Sequence, residues 1–387
     1  MRRPLVVLVS LLAASACTGP AAGPDTPTPG ASTATPAPVP IGQGTAVDLP
    51  PMTVARAAHT ATTLPDGRVL VAGGCTTDGC GGTPEGGRTE FYDPRSRRFV
   101  PGPPMVRARA GHTATALADG RVLFVGGYPD EGRPPLASVE VFNPRDGRFR
   151  EVATMGTGRG AHTATRLADG RVIIVGGVGG RSALSSVELF DPATDRLIPA
   201  AALPSPRATH AAAPLRDGRV LVAGGQSGIG HDRGLVGTTL VYDPTGDAWR
   251  EAGDLRRPTY KLALAPLPDG GALVVGGQLA DDPAARLDTT ELFDAATATL
   301  RPGPVMSEPR YKISDAVVVL RDGRVVIAGG VGVDVYDAGR LTRVAGATGT
   351  ERQFPAAAVL SDGTVVVTGG YDNSTRVTAS AILVNPG

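Results

Sequence analysis

Residues 59–74 read HTATTLPDGRVLVAGG. Two runs rich in Thr, Val and Leu flank Asp66-Gly67, and Gly supplies the positive φ that a tight turn between antiparallel strands demands. The segment reads as a hairpin, with strand a over 59–64 and strand b over 68–72. The same hairpin returns six more times. Asp-Gly stands at 119/120, 169/170, 217/218, 269/270, 322/323 and 362/363, and a Gly-Gly doublet starts six residues after each turn glycine, at 73, 126, 176, 224, 276, 329 and 369. Successive doublets lie 53, 50, 48, 52, 53 and 40 residues apart. A fixed hairpin beside a variable interval separates a rigid part from a loop, and self-similarity at this period outranks any local reading.

After each doublet comes a polar loop and then an alternating strand c, such as Ser138-Val139-Glu140-Val141-Phe142. A turn at Asn143-Pro144 or Asp191-Pro192 leads to a short strand d carrying Phe99, Phe149, Leu197, Trp249 or Leu300. Four antiparallel strands in about 50 residues make one propeller blade. Seven units predict an all-β, seven-bladed β-propeller. The seventh unit has strands a, b and c but no d, whereas Val47-Asp48-Leu49-Pro50-Pro51-Met52 precedes the first strand a as Val100-Pro101-Gly102-Pro103-Pro104-Met105 precedes the second. The amino-terminal segment therefore supplies the missing strand and removes two open sheet edges. These repeats resemble the kelch repeat, in the form found in the central domain of galactose oxidase and in bacterial kelch lipoproteins, over residues 45–386. The resemblance implies that the b–c and d–a loops share one face of the disc and that this face binds ligands.

Composition narrows the function. With 38 basic against 37 acidic residues the net charge is +1, too little field to hold a nucleic-acid backbone. The 53 Gly and 35 Pro come with 41% hydrophobic residues, which excludes global disorder and collagen. Met1-Arg2-Arg3, an apolar run to Ala14 and then Ala14-Ser15-Ala16-Cys17 form a secretory signal. Its end resembles a bacterial lipoprotein lipobox, which implies cleavage before Cys17 and lipidation of Cys17 as a firm anchor; the alternative is cleavage after Ala16 and free secretion. The expected organisation is a signal peptide over 1–16, a Pro/Thr/Ala/Gly-rich tether over 17–44 and a propeller over 45–387. The protein is then an exported monomer, touching the envelope membrane (the outer one where there are two) only through its lipid.

Four histidines, His59, His112, His162 and His210, recur at one repeat position, three residues after Arg56, Arg109, Arg159 and Arg207. Counting back from the Asp-Gly turn puts Leu262, Asp315 and Pro355 there in units five to seven. A ring of metal ligands is one reading; Arg and His that satisfy backbone groups where blades meet is the one adopted. Galactose oxidase itself uses copper held by two Tyr, two His and a Tyr-linked Cys, a set this chain does not spell out, so neither metal nor cofactor is expected. Cys75 and Cys80, an even pair in an exported chain, read as a disulfide. The loop face displays Tyr128, Gln226, His231, Arg233, Gln278, Asp281, Asp282, Tyr371 and Asp372, and the fifth and sixth inter-blade loops add Arg256, Arg257, Tyr260, Lys261, Arg310, Tyr311 and Lys312. The only two lysines thus sit in matching Tyr-Lys pairs, a hint of a site for an acidic or hydroxyl-bearing ligand. Tyr128, Gln226, Gln278, Arg257, Tyr260, Lys261, Arg310, Tyr311, Lys312 and Tyr371 are the candidate ligand-binding residues, and no catalytic set is assigned. The expected function is non-catalytic binding or scaffolding of a protein partner; the alternative is an envelope glycan, bound or turned over.

Overall fold

The computed structural model describes residues 40–80, 85–130, 133–230, 234–346 and 351–387. The signal segment, Cys17, most of the tether, His231 and Arg233 lie outside the described residues. Blade one shows how the unit is built. Strand a (Thr60–Thr63) pairs antiparallel with strand b (Val69–Ala72), b with strand c (Thr89–Asp93), and c with strand d (Arg98–Pro101). The a–b turn is a three-residue loop: Gly67 N–H donates to Leu64 O, Leu64 N–H donates to Arg68 O, and Gly67 has a φ of 87°. Strand b is buried along its length in every blade. Its Val, Leu and Ile side chains pack against the next blade, as Leu70 and Phe91 do against Phe124 and Phe142. The core is therefore a ring of layers between blades, around a channel lined by the seven strands a.

Blades one to five are separate four-stranded sheets, whereas six and seven merge into one eight-stranded sheet. The joint is the amino-terminal strand, Ile41–Leu49. Thr45 to Leu49 pair antiparallel with Asn385 to Ala381, completing blade seven, and Ile41 and Thr45 also pair, parallel, with Arg343 and Ala345 in strand d of blade six. The fold is the seven-bladed propeller closed by its amino-terminal strand. The closing strand reaches back to Ile41, four residues ahead of 45, where it pairs with blade six. The strand runs from the face of the tight turns toward the face of the b–c loops, so the chain enters the disc on the turn face. Gly387 ends there too, its carbonyl held by Arg324 Nη1 at 2.6 Å beside the sixth Asp-Gly turn.

Candidate functional site

The Gly-Gly doublets are the joints between blades. The second glycine of each donates its N–H to the carbonyl of the Arg-position residue in the next blade: Gly74 to Arg109, Gly127 to Arg159, Gly177 to Arg207, Gly225 to Thr259, Gly277 to Arg310, Gly330 to Arg352 and, closing the ring, Gly370 to Arg56. The close approach demands glycine: at Gly126, with φ at +58°, a Cβ would lie 2.2 Å from Arg159 O. Arg56, Arg109, Arg159 and Arg352 use Nη1, and Arg310 its Nε, to bind the carbonyl of the first glycine of their own doublet. Four of these guanidiniums meet a buried or half-buried carboxylate on strand c, namely Arg56 with Glu90, Arg109 with Glu140, Arg159 with Glu188 and Arg310 with Asp334. In blades four and seven that strand-c position is Leu240 or Ile382, and burial draws Arg207 and Arg352 down to about 10, against the weaker pull of Glu251 and Asp48.

The histidines belong to the same joints. His112, His162 and His210 place Nε2 at 3.1, 3.0 and 3.0 Å from Thr60, Thr113 and Thr163 Oγ1 of the preceding blade, and His59 reaches Thr368 Oγ1 at 2.8 Å. Burial, then the neighbouring arginines, holds His112 and His210 down to about 3, so the rings stay neutral at pH 7. The position before each histidine carries the second belt. Ala58, Gly111, Ala161, Thr209, Lys261, Lys312 and Phe354 all have φ between 51° and 59°, and at six of the seven junctions this residue donates its N–H to its counterpart one blade back. That belt corrects the expected register in blade six. Lys312 aligns with Lys261, so Ile313 takes the histidine position, and Ser314-Asp315 form a turn ahead of a three-residue strand a, Val317–Val319.

The belt is asymmetric, and this builds the site. Blades one to four contribute Ala, Gly, Ala and Thr; blades five to seven contribute Lys261, Lys312 and Phe354. A cavity of about 230 Å³ occupies the channel mouth, walled by Ala and Thr of the strands a and lined by Tyr128, both lysines, Asp315 and Phe354. Lys312 Nζ lies 2.7 Å from Tyr371 Oη and 3.4 Å from Gln353 Oε1, over the rings of Tyr311, Phe354 and Tyr371. Burial, then the charges of Lys261 and Arg286, holds this amine well below the usual lysine range, against the pull of Asp281 and Glu351. Lys261 Nζ is 3.9 Å from Asp281 Oδ1, which also accepts from Tyr260 Oη. Behind them Arg286 binds Glu351, Tyr311 and Asn373, and Gln353 joins the same network.

Asp315 is open to channel water, yet the surrounding strands desolvate its carboxyl and push it up to about 6, the Ser314 hydroxyl pulling the other way. A folded-state value above the unfolded one near 3.8 means that ionised Asp315 burdens the fold above pH 6 and not below pH 4. Asp315→Asn is accordingly expected to stabilise the protein at pH 8 by about 1 kcal/mol after allowance for solvent screening, and by nothing at pH 4. Urea melts of both proteins at the two pH values check this; equal differences at both would refute it.

The remaining candidates divide. Lys261, Lys312, Tyr260, Tyr311 and Tyr371 come together as described. Tyr128 lines the same cavity from blade two. Gln226 and Gln278 are buried in the tier that follows the doublets, Gln278 Nε2 donating to Asp282 O at 3.2 Å. Arg310 is no ligand group: it is buried in the joint with Asp334. Arg257 is exposed and does not line the cavity. Asp282 and Asp372 cap their own loops. The Cys75 and Cys80 sulfurs are bonded, with Cα atoms 5.1 Å apart. That loop docks on blade seven, where Asp78 Oδ1 accepts from Val377 N and Gly79 N donates to Thr375 O. The sequence placed Asp315 at the histidine position without giving it a role, and it passed over Arg286, Glu351, Gln353 and Asn373. Only Asp315 carried a signal, the two extra residues between Lys312 and the sixth Asp-Gly turn.

Comparison with known proteins agrees with the architecture. The Kelch motif family matches residues 159–196, most of blade three. A fungal alcohol oxidase of the AA5 family, solved in complex with copper, superposes with a TM-score of 0.71 at 17% identity, over 89% of this chain and 77% of that one. No curated protein matches. At such identity the likeness is one of fold. The residues present do not fit a copper centre of two Tyr, two His and a Tyr-linked Cys. Among the described residues each of the four histidines is spent on a separate blade joint, Cys75 is bonded to Cys80, and no three His, Cys, Asp or Glu side chains gather.

Proposed function

We propose that this kelch-type propeller is an exported, lipid-anchored binding module that takes a small acidic ligand into the mouth of its channel without turning it over. The observation that carries the reading is the convergence of Lys261 and Lys312 from adjacent blades on one cavity of about 230 Å³. Burial and the neighbouring charges of Lys261 and Arg286 disfavour the charged form of Lys312, and an anion at the mouth would favour it again while forming charge-assisted hydrogen bonds. A protein-binding face would instead offer a broad apolar patch rimmed by polar groups. Among the described residues the exposed large hydrophobics are Val47, Val100, Val106 and Ile198, of which only Val106 lies in a loop of the binding face. A tether entering on the turn face would also turn the channel mouth away from the membrane. Among the described residues no helix is long and apolar enough to cross a bilayer.

Binding of small carboxylates to the full mature chain, measured by calorimetry, tests the reading. Lys261→Gln is expected to weaken a bound acid by about tenfold, the worth of one hydrogen bond to a charged group, while the thermal melt stays put. Absence of any acid binding, or binding indifferent to Lys261, refutes it. One observation favours a second reading, a propeller that acts on a sugar. Asp315, titrating near pH 6, and the amine of Lys312 share one cavity, the arrangement of an acid and a base. Chemical change of a bound sugar that stops in Asp315→Asn would establish it.

A further inference from the structure

The turn between strands c and d has one frame in blades one to five, yet only blades one and two load it with arginine. In each, the Asp or Asn that ends strand c accepts the N–H two residues on: Asp93 from Arg95, Asn143 from Arg145, Asp191 from Ala193, Asp243 from Thr245 and Asp294 from Ala296. The residue paired with that cap, at the start of strand d, is Arg98, Arg148, Arg196, Ala248 or Thr299 in turn. Alanine and threonine fill this turn as well as arginine does, so its geometry does not account for the charges of blades one and two. Nor are those charges spent elsewhere. Arg95, Arg97, Arg98, Arg145 and Arg148 are exposed, and among the described residues none of the five is in an ion pair. The neighbouring hairpin arginines are, Arg68 with Asp66 and Arg121 with Asp119. The acids around the five are engaged as well: Asp146 binds Arg150, and Asp362, near Arg97, accepts from Thr364. In the next two c–d turns Asp195 is bound by Arg121 and Asp247 by the Tyr242 hydroxyl. A net charge of +1 thus conceals a local excess of unpaired guanidinium.

The a–b and c–d turns share the face on which the amino-terminal strand enters. That strand starts between blades six and seven, where Ile41 pairs with Arg343, and blade seven adjoins blade one through the bond from Gly370 N–H to Arg56 O. The tether therefore leaves the disc on the same face as the arginines, beside the blade next to them. We propose that this face docks on an anionic lipid surface, with Arg95, Arg97, Arg98, Arg145 and Arg148 set against the headgroup phosphates. A plane of phosphates meets the tips of separate turns together, and each guanidinium offers it a planar fork of donors. Arginines held near an anionic membrane surface add their attractions, which fade within a Debye length. The inference rests on the anchored reading above, not on acid binding, and it adds a second point of contact: the acyl anchor holds the chain near the membrane, and the patch fixes which face looks down.

The test is sedimentation of the full mature chain, made without its lipid, with vesicles of phosphatidylcholine alone or with about a third phosphatidylglycerol. Removing the lipid separates the patch from the anchor, so failure here leaves the anchored reading standing, to be judged by the mass of the native amino terminus. Binding to the anionic vesicles is expected to exceed binding to the neutral ones at least about tenfold at low salt, and to vanish at high salt. The variant carrying Arg95→Gln, Arg97→Gln and Arg98→Gln is expected to lose that preference with its thermal melt unchanged, and Arg145→Gln with Arg148→Gln to weaken it in the same direction. Arg256→Gln with Arg257→Gln, exposed residues of the opposite face, is expected to leave it intact. Equal binding to both vesicles, or a preference that survives loss of all five arginines, would overturn the proposal. So would capture of dextran sulfate without binding to either vesicle, which would make the patch a site for a soluble polyanion.

Discussion

Removal of residues 1–49 is expected to abolish the cooperative fold, whereas removal of 1–39 leaves the melt unchanged. The strand Ile41–Leu49, distant in sequence from both blades, completes blade seven and ties it to blade six. Five registered pairs, Thr45 with Asn385 through Leu49 with Ala381, go with it. So does the burial of Ala46 and Leu49 against the cores on either side. Each lost ladder hydrogen bond is worth about 1 kcal/mol, and the two exposed edges invite association. The total loss, at least about 5 kcal/mol, matches the whole stability of many domains. Circular dichroism melts and size-exclusion chromatography of the two truncations decide it. The shorter chain melting within a few degrees of the longer one, as a monomer, would show that the other blade joints alone hold the ring.

What the sequence made legible, and what it did not, follows from the range of the forces involved. The hairpins were readable because Asp-Gly and Gly-Gly act within a few residues: Gly67 is needed by its own turn, and Gly126 by a carbonyl that the repeat itself brings close. The closing strand was readable because Leu49-Pro50-Pro51-Met52 repeats the pattern ahead of a strand a. Its first four residues were not, because pairing with Arg343 depends on how blade six sits against blade seven. The Tyr-Lys pairs stood out as the only lysines, and they do share the cavity. Arg310 looked like part of that loop site because its partner, Asp334, lies beyond the doublet on strand c, and the pairing is a contact across the blade. Asp315 was misplaced by counting from the turn, since two extra residues move strand a and not the belt before it. Glu351 and Asn373 reach Arg286 from another blade, with Gln353 bonded to Asn373, contacts that no local pattern encodes.

The buried joints make the other large effect, and the molecule carries its own control for it. Arg109 and Glu140 are both fully buried and ion-paired. Arg109 Nη1 also donates to Gly126 O and Ser138 O, and Glu140 accepts from the N–H groups of Val106 and Arg107 in the loop that leads into the blade. Arg109→Met leaves a carboxylate inside the protein with two backbone donors and no counter-charge, a change that costs about 4 kcal/mol. The carboxyl's pKa then rises above its unfolded value. The penalty is full at pH 8, where Glu140 is ionised, and shrinks as the pH falls and the group takes up a proton. Blade four already has the other half of this arrangement, Arg207 with Leu240 in place of the strand-c acid. Arg207→Met therefore strands no carboxylate, and its cost is expected to be smaller and the same at pH 8 and pH 5. Urea denaturation of both variants at the two pH values separates the effects. In the double variant Arg109→Met with Glu140→Leu the loss is expected to fall below the sum of the single losses, since no buried charge is left on either side. A pH-independent loss in Arg109→Met, equal to that in Arg207→Met, would mean that the arginines act only as carbonyl caps and that the strand-c acids add nothing to the joint.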